Sequence, residues 1–323
     1  MKIRALSIVL LGLVGCSAGP TLTNVAPPAQ SNLQSMYFMT TRAAVADDRL
    51  FGEDRAATPT FGEINIGIPP IHQPGQVETT DGVPDPARHF YNAGVMRYAD
   101  ARALKRAVST EGRPTVVFVH GYNNTFAEST FRFAQILNDL DRDITPVHVS
   151  WASRGSSGGY VYDRDSALIA RDDLADLLVL LATSNDNGVT LAAHSMGSLV
   201  AVEALIQLSK RREAAALSNV NRVLLVAPDL DGDLFTDQMA QVAYPTDQIF
   251  IAVNQGDRAL ALSGRITGNQ SRLGRDFDTD QLEQDGYRVV DLSEIDDGDV
   301  GGHFLLASSP TLLGFLSALQ PLE

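Results

Sequence analysis

The sequence is poor in cysteine and aromatic residues and has no long hydrophobic segment. Of its 323 residues, one is cysteine, one is tryptophan and 7% are aromatic. A single cysteine cannot form a disulfide within the chain, so the fold must depend on a hydrophobic core. The chain is 44% hydrophobic, which is enough for one large core and predicts a single domain with a tail.

Basic residues are also scarce relative to acidic ones. The chain has 25 lysines and arginines against 39 aspartates and glutamates, which gives a formal net charge of −14. Such a surface repels phosphate backbones, and no basic run is interleaved with aromatic residues, so no nucleic-acid partner is expected. Anionic substrates are disfavoured more weakly. No cluster of His, Asp or Glu has metal-ligand spacing, so the sequence predicts neither a metal nor another cofactor.

The first fifteen residues have the pattern of a bacterial export signal. Lys2 and Arg4 precede an apolar stretch, residues 5–14, that is too short to span a bilayer. The Leu-Val-Gly-Cys sequence at residues 13–16 resembles the lipobox of bacterial lipoproteins, in which the leader is cleaved before a cysteine that becomes lipid-modified. Cys16 is therefore the predicted lipidation site. An ordinary signal peptide followed by a chance cysteine is the alternative.

These features predict three segments. Residues 1–15 form the signal peptide, residues 16–35 are small, polar and proline-containing as in a flexible tether, and residues 36–323 form the folded domain. The protein is expected to be exported and anchored to the membrane of the cell envelope through lipidated Cys16. Ser17 resembles a signal for sorting to the outer membrane. The sequence does not indicate an oligomeric state.

Within the domain, short apolar runs alternate with helical patterns. Two strands are predicted near residues 37–39 and 64–68, with a loop over residues 69–90. Later runs that suit strands buried on both faces occur at residues 116–119, 147–149, 191–193, 223–226, 249–253 and 289–290. Helical patterns cover residues 126–140, 166–181, 199–208, 234–242 and 311–319.

This alternation predicts an α/β fold with a mostly parallel central sheet flanked by helices on both faces. Thr125 and Glu128 form the pattern of a capping box at the start of the first of those helices. Only one helix fits between Val226 and Ile249, so no large cap domain is expected over the sheet.

A candidate nucleophile lies where an apolar strand passes into a helix. The segment Ala-His-Ser-Met-Gly at residues 193–197 has the strand-turn-helix context of a nucleophile elbow, although Ala193 replaces the usual first glycine. Ser195 is the predicted nucleophile, and the backbone N–H of Met196 is a predicted donor to the oxyanion that forms. A serine in an ordinary turn is the alternative.

A serine hydroxyl needs a base and a second oxyanion donor. Among six histidines, His303 lies in a glycine-containing loop between the last strand and the last helix, where it can reach the carboxyl end of the sheet. His303 is therefore the predicted base. The His-Gly-Tyr sequence at residues 120–122 follows the first strongly apolar strand, so the N–H of Tyr122 is the predicted second donor.

The third member of such a triad is an acid that lies between the serine and the base in the sequence. Asp257 satisfies this order, and so does a group formed by Asp229, Asp231 and Asp233, the Asp229 group. Asp257 is favoured because it follows the later strand, whereas the Asp229 group has a plausible role in capping its own helix. Trp151 and Tyr160 are candidate residues of a substrate pocket. Trp151 as an ordinary core residue is the alternative.

Together these segments resemble a bacterial branch of α/β-hydrolase proteins, esterase- or lipase-like domains of unassigned function. The matching segments are Phe-Val-His-Gly-Tyr-Asn at 118–123, Ser-Trp-Ala-Ser at 150–153, Tyr-Asp-Arg at 162–164, Ala-His-Ser-Met-Gly at 193–197, Ala-Pro-Asp at 227–229, Asp-Arg-Ala-Leu at 257–260 and Gly-His at 302–303. The resemblance extends from about Met36 to the C terminus. It implies an α/β-hydrolase fold with Ser195, Asp257 and His303 at the triad positions, and it supplies no substrate.

The sequence therefore predicts a serine hydrolase, a carboxylesterase or lipase that forms an acyl-enzyme intermediate on an ester or lipid substrate. Two alternatives remain open. One is a non-catalytic envelope scaffold or binding lipoprotein that keeps the hydrolase fold, because fold alone does not establish activity. The other is an envelope acyltransferase, which would pass the acyl group to an alcohol instead of water.

Overall fold

The computed structural model describes residues 19–182 and 187–318. The predicted signal peptide and Cys16 lie outside these ranges, so lipid anchoring stays a prediction. The described strands are β1 (Asn32–Ala44), β2 (Phe51–Ile68), β3 (Tyr91–Tyr98), β4 (Thr115–Val119), β5 (Thr145–Ser150), β6 (Val189–His194), β7 (Val220–Val226), β8 (Ile249–Val253) and β9 (Arg288–Asp291). The described helices are α1 (Ala101–Ser109), α2 (Phe126–Leu140), α3 (Tyr160–Leu181), α4 (Gly197–Arg211), α5 (Ala214–Asn219), α6 (Gly232–Met239), α7 (Arg258–Ile266), α8 (Thr279–Gln284), α9 (Leu305–Ser308) and α10 (Pro310–Ala318).

The nine strands form one sheet in the order β3-β2-β1-β5-β4-β6-β7-β8-β9. Strand β2 is antiparallel to both of its neighbours, and every other pairing in the sheet is parallel. Phe118 of β4 pairs with His148 of β5 and with Ala192 of β6, so the carboxyl ends of the central strands lie along one edge. The prediction of a mostly parallel sheet is confirmed.

Apolar side chains of the central strands alternate between two core layers. Val117 of β4 belongs to the larger cluster, together with Leu178 of α3 and Leu205 of α4. Phe118, the next residue, points to the other face and stacks on Phe133 of α2 at a ring-centroid distance of 4.8 Å. A strand buried on both faces in this way has a continuous apolar sequence, which is why these strands were recognisable. Helices on both faces are confirmed.

Local capping determines where α2 begins. Thr125 Oγ1 accepts a hydrogen bond from the N–H of Glu128, and Glu128 Oε2 accepts one from the N–H of Thr125. This capping box places the first residue of α2 at Phe126, as predicted. Helix α3 instead begins at Tyr160, six residues before the predicted start at Ser166. Its first turn is held by hydrogen bonds of the buried Asp163, which hydrophobic periodicity does not reveal.

The N-terminal part differs from the sequence prediction. Strand β1 begins at Asn32, before the predicted domain boundary at residue 36, and Leu22 is buried in the second core cluster. The N–H of Val25 donates to the carbonyl of Asn92, at 2.9 Å. Residues of the predicted tether therefore contact the domain through a small apolar anchor and backbone hydrogen bonds. Strand β3 and helix α1 were not predicted either.

The chain between β7 and β8 contains α6 and one 3₁₀ turn, Thr246–Gln248, which confirms the expectation that no large cap domain is inserted there. Within the described ranges, no helix combines the length and apolar content that crossing a membrane requires.

A half-buried histidine attaches the loop after β2 to helix α2. His72 Nδ1 lies 2.8 Å from Glu78 Oε2, and His72 Nε2 lies 2.8 Å from Asp139 Oδ1. Asp139 Oδ2 also accepts a hydrogen bond from the N–H of Gly75. Burial alone lowers the pKa of His72, but its hydrogen bonds to Asp139 and Glu78 outweigh that effect and raise the pKa above its usual value.

We expect His72→Gln to lower the free energy of unfolding by roughly 1–3 kcal/mol at about pH 6. A pKa raised in the folded state gives a contribution that is fully present below the unfolded pKa of about 6.5 and is lost as the pH rises through the folded value. Urea unfolding between about pH 5.5 and about pH 9 measures this. His89→Gln is the control, because His89 in the same loop has no carboxylate partner in the described structure. A loss that does not change with pH would contradict the charged state of His72.

Candidate active site

Ser195 occupies a strained turn at the carboxyl edge of the sheet. It lies between β6 and α4, with a backbone φ of 53°, and its N–H donates to the carbonyl of Val226 at 2.9 Å. A non-glycine residue in this left-handed region costs on the order of 1–3 kcal/mol and persists only where the surroundings enforce it. The hydroxyl of Ser195 makes no hydrogen bond to any other described residue.

Two glycines allow the chain to approach this turn closely. A Cβ at Gly197 would lie 2.5 Å from the carbonyl oxygen of His120, and a Cβ at Gly121 would lie 2.8 Å from Ser195 Cβ and from His194 Nδ1. Side chains cannot occupy these positions without moving the backbone. The glycines therefore bring the loop after β4 against the turn that carries Ser195.

His303 contacts Asp257, one of the two acids that the sequence left open. His303 Nδ1 lies 2.6 Å from Asp257 Oδ2, and Asp257 is completely buried. The other carboxylate oxygen, Oδ1, accepts a hydrogen bond from the N–H of Leu260 at 2.9 Å and so caps α7. A carboxylate at Nδ1 assigns the proton to that nitrogen, because a carboxylate only accepts. His303 Nε2 makes no hydrogen bond within the described part of the chain.

The loop that carries His303 is anchored by side chains that sequence analysis did not identify. The two oxygens of Asp299 accept hydrogen bonds from the backbone N–H groups of His303 and Phe304, at 3.1 and 2.8 Å. Asn254 Nδ2 donates to the carbonyl of Gly302 at 2.7 Å. Asp299 lies in a polar, acidic stretch of sequence, so nothing distinguished it from solvent-exposed loop residues.

His194 joins the serine turn to the histidine loop. Its Nε2 lies 3.0 Å from the carbonyl oxygen of His303, and the two rings are 4.6 Å apart in an edge-to-face arrangement. Burial, together with the charge of His303, holds the pKa of His194 well below its usual range, so this imidazole is neutral and donates from Nε2. His303 thus contacts His194, the residue before Ser195, while no hydrogen bond joins Ser195 Oγ to His303 in the described structure. The sequence placed His194 next to Ser195 but did not suggest this contact.

The two residues predicted to stabilise an oxyanion lie in the loop after β4 and in the turn after β6. Tyr122 follows β4 and Met196 follows Ser195, and neither backbone N–H donates to another described residue. The Tyr122 hydroxyl donates to the carbonyl of Ser157 at 2.6 Å, which attaches the glycine-rich segment after β5 to the site. Both N–H groups are therefore available to a ligand.

The loop that carries Tyr122 is held by hydrogen bonds to two buried charged side chains, Asp163 and Arg42. Asp163 accepts hydrogen bonds from Ser153 Oγ at 2.5 Å and from the N–H of Asn123 at 3.3 Å. Burial raises the pKa of Asp163. Arg42, also buried, donates to the carbonyl of Asn124 at 2.6 Å, and burial lowers its pKa to about 10.

Within the described ranges, no group of three or more His, Cys, Asp or Glu side chains is placed to hold a metal ion.

Asp229 lies in a separate network. It accepts hydrogen bonds from the Tyr160 hydroxyl at 3.0 Å and from Ser263 Oγ, and Arg272 Nε lies 3.4 Å from its Oδ1. No described contact joins it to His303. Asp231 of the same group caps α6, through a hydrogen bond from the N–H of Leu234.

One of the two predicted pocket residues, Trp151, does not lie at a pocket. Trp151 has no exposed surface: its Nε1 donates to the carbonyl of His120 at 2.7 Å, and its ring stacks on the His120 ring at 5.1 Å. It belongs to the core and does not line an open pocket, which corrects the prediction. Burying the indole and satisfying its N–H explains this placement. Tyr160, the other candidate, lines a cavity together with Met196.

Comparison with known proteins yields one family and several distant structural likenesses. The family model described as "Alpha/beta hydrolase of unknown function (DUF900)" matches residues 97–319. Esterase B from Lactobacillus rhamnosis is 11% identical, with a TM-score of 0.34 over 83% of this chain and 75% of that chain. The carboxylesterase EstE1, cloned from a metagenomic library, is 15% identical, with a TM-score of 0.35 over 92% of each chain. The curated proteins contain no match.

The close contact at Gly121 predicts an effect on stability. Gly121→Ala should lower the free energy of unfolding by about 1–3 kcal/mol, because the new methyl group overpacks the site against Ser195 and His194. Gly158→Ala is the matched control, since nothing lies within 4 Å of a Cβ at that position. Urea unfolding of both variants measures the difference. Equal midpoints for Gly121→Ala and the unsubstituted protein would show that the two turns are not in contact.

Proposed function

The chain belongs to the family of alpha/beta hydrolases of unknown function, and we propose that it is a serine hydrolase that cleaves carboxylic esters. The prediction of an α/β-hydrolase fold is confirmed by the family match together with the sheet order. The observation that carries the serine mechanism is the 2.6 Å contact of His303 Nδ1 with Asp257, beside the strained turn of Ser195.

In the proposed reaction, Ser195 Oγ attacks the carbonyl carbon of an ester while His303 Nε2 takes the hydroxyl proton. Asp257 keeps the Nδ1 proton in place and stabilises the imidazolium. The tetrahedral intermediate expels the alcohol, which receives its proton from His303, and the acyl group remains on Ser195. Water then attacks the acyl-enzyme with His303 as base, so that the acid is released and Ser195 regains its proton.

Backbone donors support this assignment. The N–H groups of Tyr122 and Met196 have no acceptor among the described residues, as expected of groups reserved for an oxyanion. A donor that is already oriented needs no reorganisation during the reaction, and losing one costs about 2.7–4 kcal/mol of transition-state stabilisation. Side chains at these two positions matter less, because the backbone supplies the hydrogen bonds.

The two alternatives differ in what the same site would do. An acyltransferase would use the same residues, with an alcohol in place of water in the second step. A non-catalytic scaffold has no use for a serine held at a φ of 53° beside an oriented histidine, because such strain lowers stability without aiding binding elsewhere. We therefore favour the hydrolase.

A fluorophosphonate probe, which reacts with activated serines, should label the unsubstituted protein and fail to label Ser195→Ala. Ser218→Ala is the matched control, because Ser218 is an exposed serine in α5, and this variant should be labelled normally. Labelling is read by mass spectrometry of the intact protein, with circular dichroism to establish folding. A folded, unlabelled wild-type protein would support the scaffold instead.

Replacing the acid tests the assignment of Asp257. Asp257→Asn should lower kcat for 4-nitrophenyl butyrate by up to roughly 10⁴-fold, because the amide does not hold His303 in the required tautomer. Asparagine still caps a helix, so stability should change little. Asp100→Asn, which alters the cap of α1, is the matched control. Asp229→Asn should lose much less kcat, and a larger loss there would make Asp229 the acid.

A further inference from the structure

A polar cavity of about 280 Å³ lies beside the proposed nucleophile. Met196, the residue after Ser195, forms part of its wall. Tyr160 forms another part, and its ring contacts the ring of Tyr122 edge to face at 5.4 Å. The two proposed oxyanion residues thus border or adjoin the cavity. An ester whose carbonyl oxygen is held by their N–H groups would have one of its two substituents directed towards this space.

Arg272 places a buried cation in the wall of this cavity. The residue is 4% exposed, and its Nη2 donates to Ser263 O at 3.5 Å and to Thr267 Oγ1. Its Nε lies 3.4 Å from Asp229 Oδ1, which is close enough for an ion pair, but the atom is buried and makes no hydrogen bond. No hydrogen bond from Nη1 is found among the described residues either. The Nη1 group of this guanidinium therefore keeps unused donors beside the site.

Each of the two carboxylates that line the cavity accepts at least one hydrogen bond from the protein. Asp229 accepts hydrogen bonds from Tyr160 and Ser263, and Asp231 Oδ1 caps α6. Arg164, by contrast, is an exposed residue at the cavity wall and forms no ion pair with any described residue. Arg164 and Arg272 thus both lie at the cavity wall with unused donors, and Asp229, which faces Arg272, is already paired with it.

We propose that this cavity is a subsite for a carboxylate carried by a short ester substrate. The proposal rests on the proposed hydrolase function and specifies its substrate class. Guanidinium groups bind carboxylates through paired, charge-assisted hydrogen bonds, and Arg272 and Arg164 supply them here. The volume is near the lower limit for small-molecule pockets, which favours a short acyl or alcohol group over a long chain.

The charges that line the cavity are more balanced than those of the whole chain, because two arginines lie there beside two aspartates. The net charge of −14 weakly disfavours anionic ligands, but exposed charges more than about 10 Å apart are largely screened at physiological salt. The nearest groups decide what binds in a partly enclosed cavity, since they are screened less.

The test compares the release of alcohol from paired esters. The first pair is 4-nitrophenyl glutarate, which carries a free carboxylate on its acyl part, and the methyl ester of the same compound. The second pair is the butyrate of 4-hydroxyphenylacetate, with the carboxylate on the alcohol, and its methyl ester. We expect kcat/KM to be about tenfold higher for the anionic member of one pair, as one charge-assisted hydrogen bond provides. The pair that shows the preference identifies the part of the ester that enters the cavity.

Arg164→Gln should reduce this preference several-fold, mainly through KM of the anionic ester. The matched control is Arg265→Gln, which removes an exposed arginine from α7 outside the cavity and should leave the preference unchanged. Arg164 is exposed, so its replacement is not expected to disturb folding.

Two negative outcomes are distinguishable. If the fluorophosphonate probe labels Ser195 but neither anionic ester is preferred, or if Arg164→Gln leaves the preference intact, the subsite is wrong and the hydrolase stands. If folded protein is neither labelled nor active on any of the four esters, the proposed function is wrong and the subsite falls with it.

Discussion

The arrangement of the site depends on one steric constraint: the turn at Ser195 and the loop after β4 share a space that has no room for a side chain at residue 121 or 197. Because the turn is held in a left-handed conformation by a hydrogen bond to β7, the serine is fixed with respect to the sheet. The loop after β4 is in turn braced by Asp163 and Arg42, so the N–H of Tyr122 is fixed with respect to the serine. Because backbone packing fixes the serine and this N–H group, no long or flexible side chain has to become ordered before the site can form.

The histidine loop is positioned by a different means. It follows the last strand, contains three glycines and is attached by side chains from three parts of the chain: Asp257 before α7, Asn254 after β8 and His194 at the end of β6. Asp299 adds a local attachment within the loop itself. A loop fixed at several points presents its imidazole with little freedom, which suits a group that must accept a proton in one geometry.

The sequence predicted the features that depend on residues close together in the chain, and it did not predict those that depend on distant residues. Helix α2 was placed to the residue because a capping box and an amphipathic pattern are both local, and the buried strands were recognisable because both of their faces are covered. The elbow at Ser195 was visible because strand, turn and helix are contiguous.

The choice between Asp257 and Asp229, by contrast, depends on which acid meets a residue far along the chain. Trp151 was misplaced, and the contact of His194 was missed, because burial and partners at those positions are set by tertiary packing. Strand β3 lies at the sheet edge and carries a polar, exposed half, so its apolar signal is weak.

The carboxylate of Asp257 serves two partners at once, with one oxygen on the first turn of α7 and the other on the imidazole of His303. Its side-chain rotamer is therefore determined by the integrity of that helix. Fraying of α7 at its N terminus would release the acid from the histidine without any global unfolding. The equilibrium between the formed and the frayed first turn of α7, as amide hydrogen exchange reports it, thus sets an upper limit on the fraction of molecules in which acid and base are correctly paired.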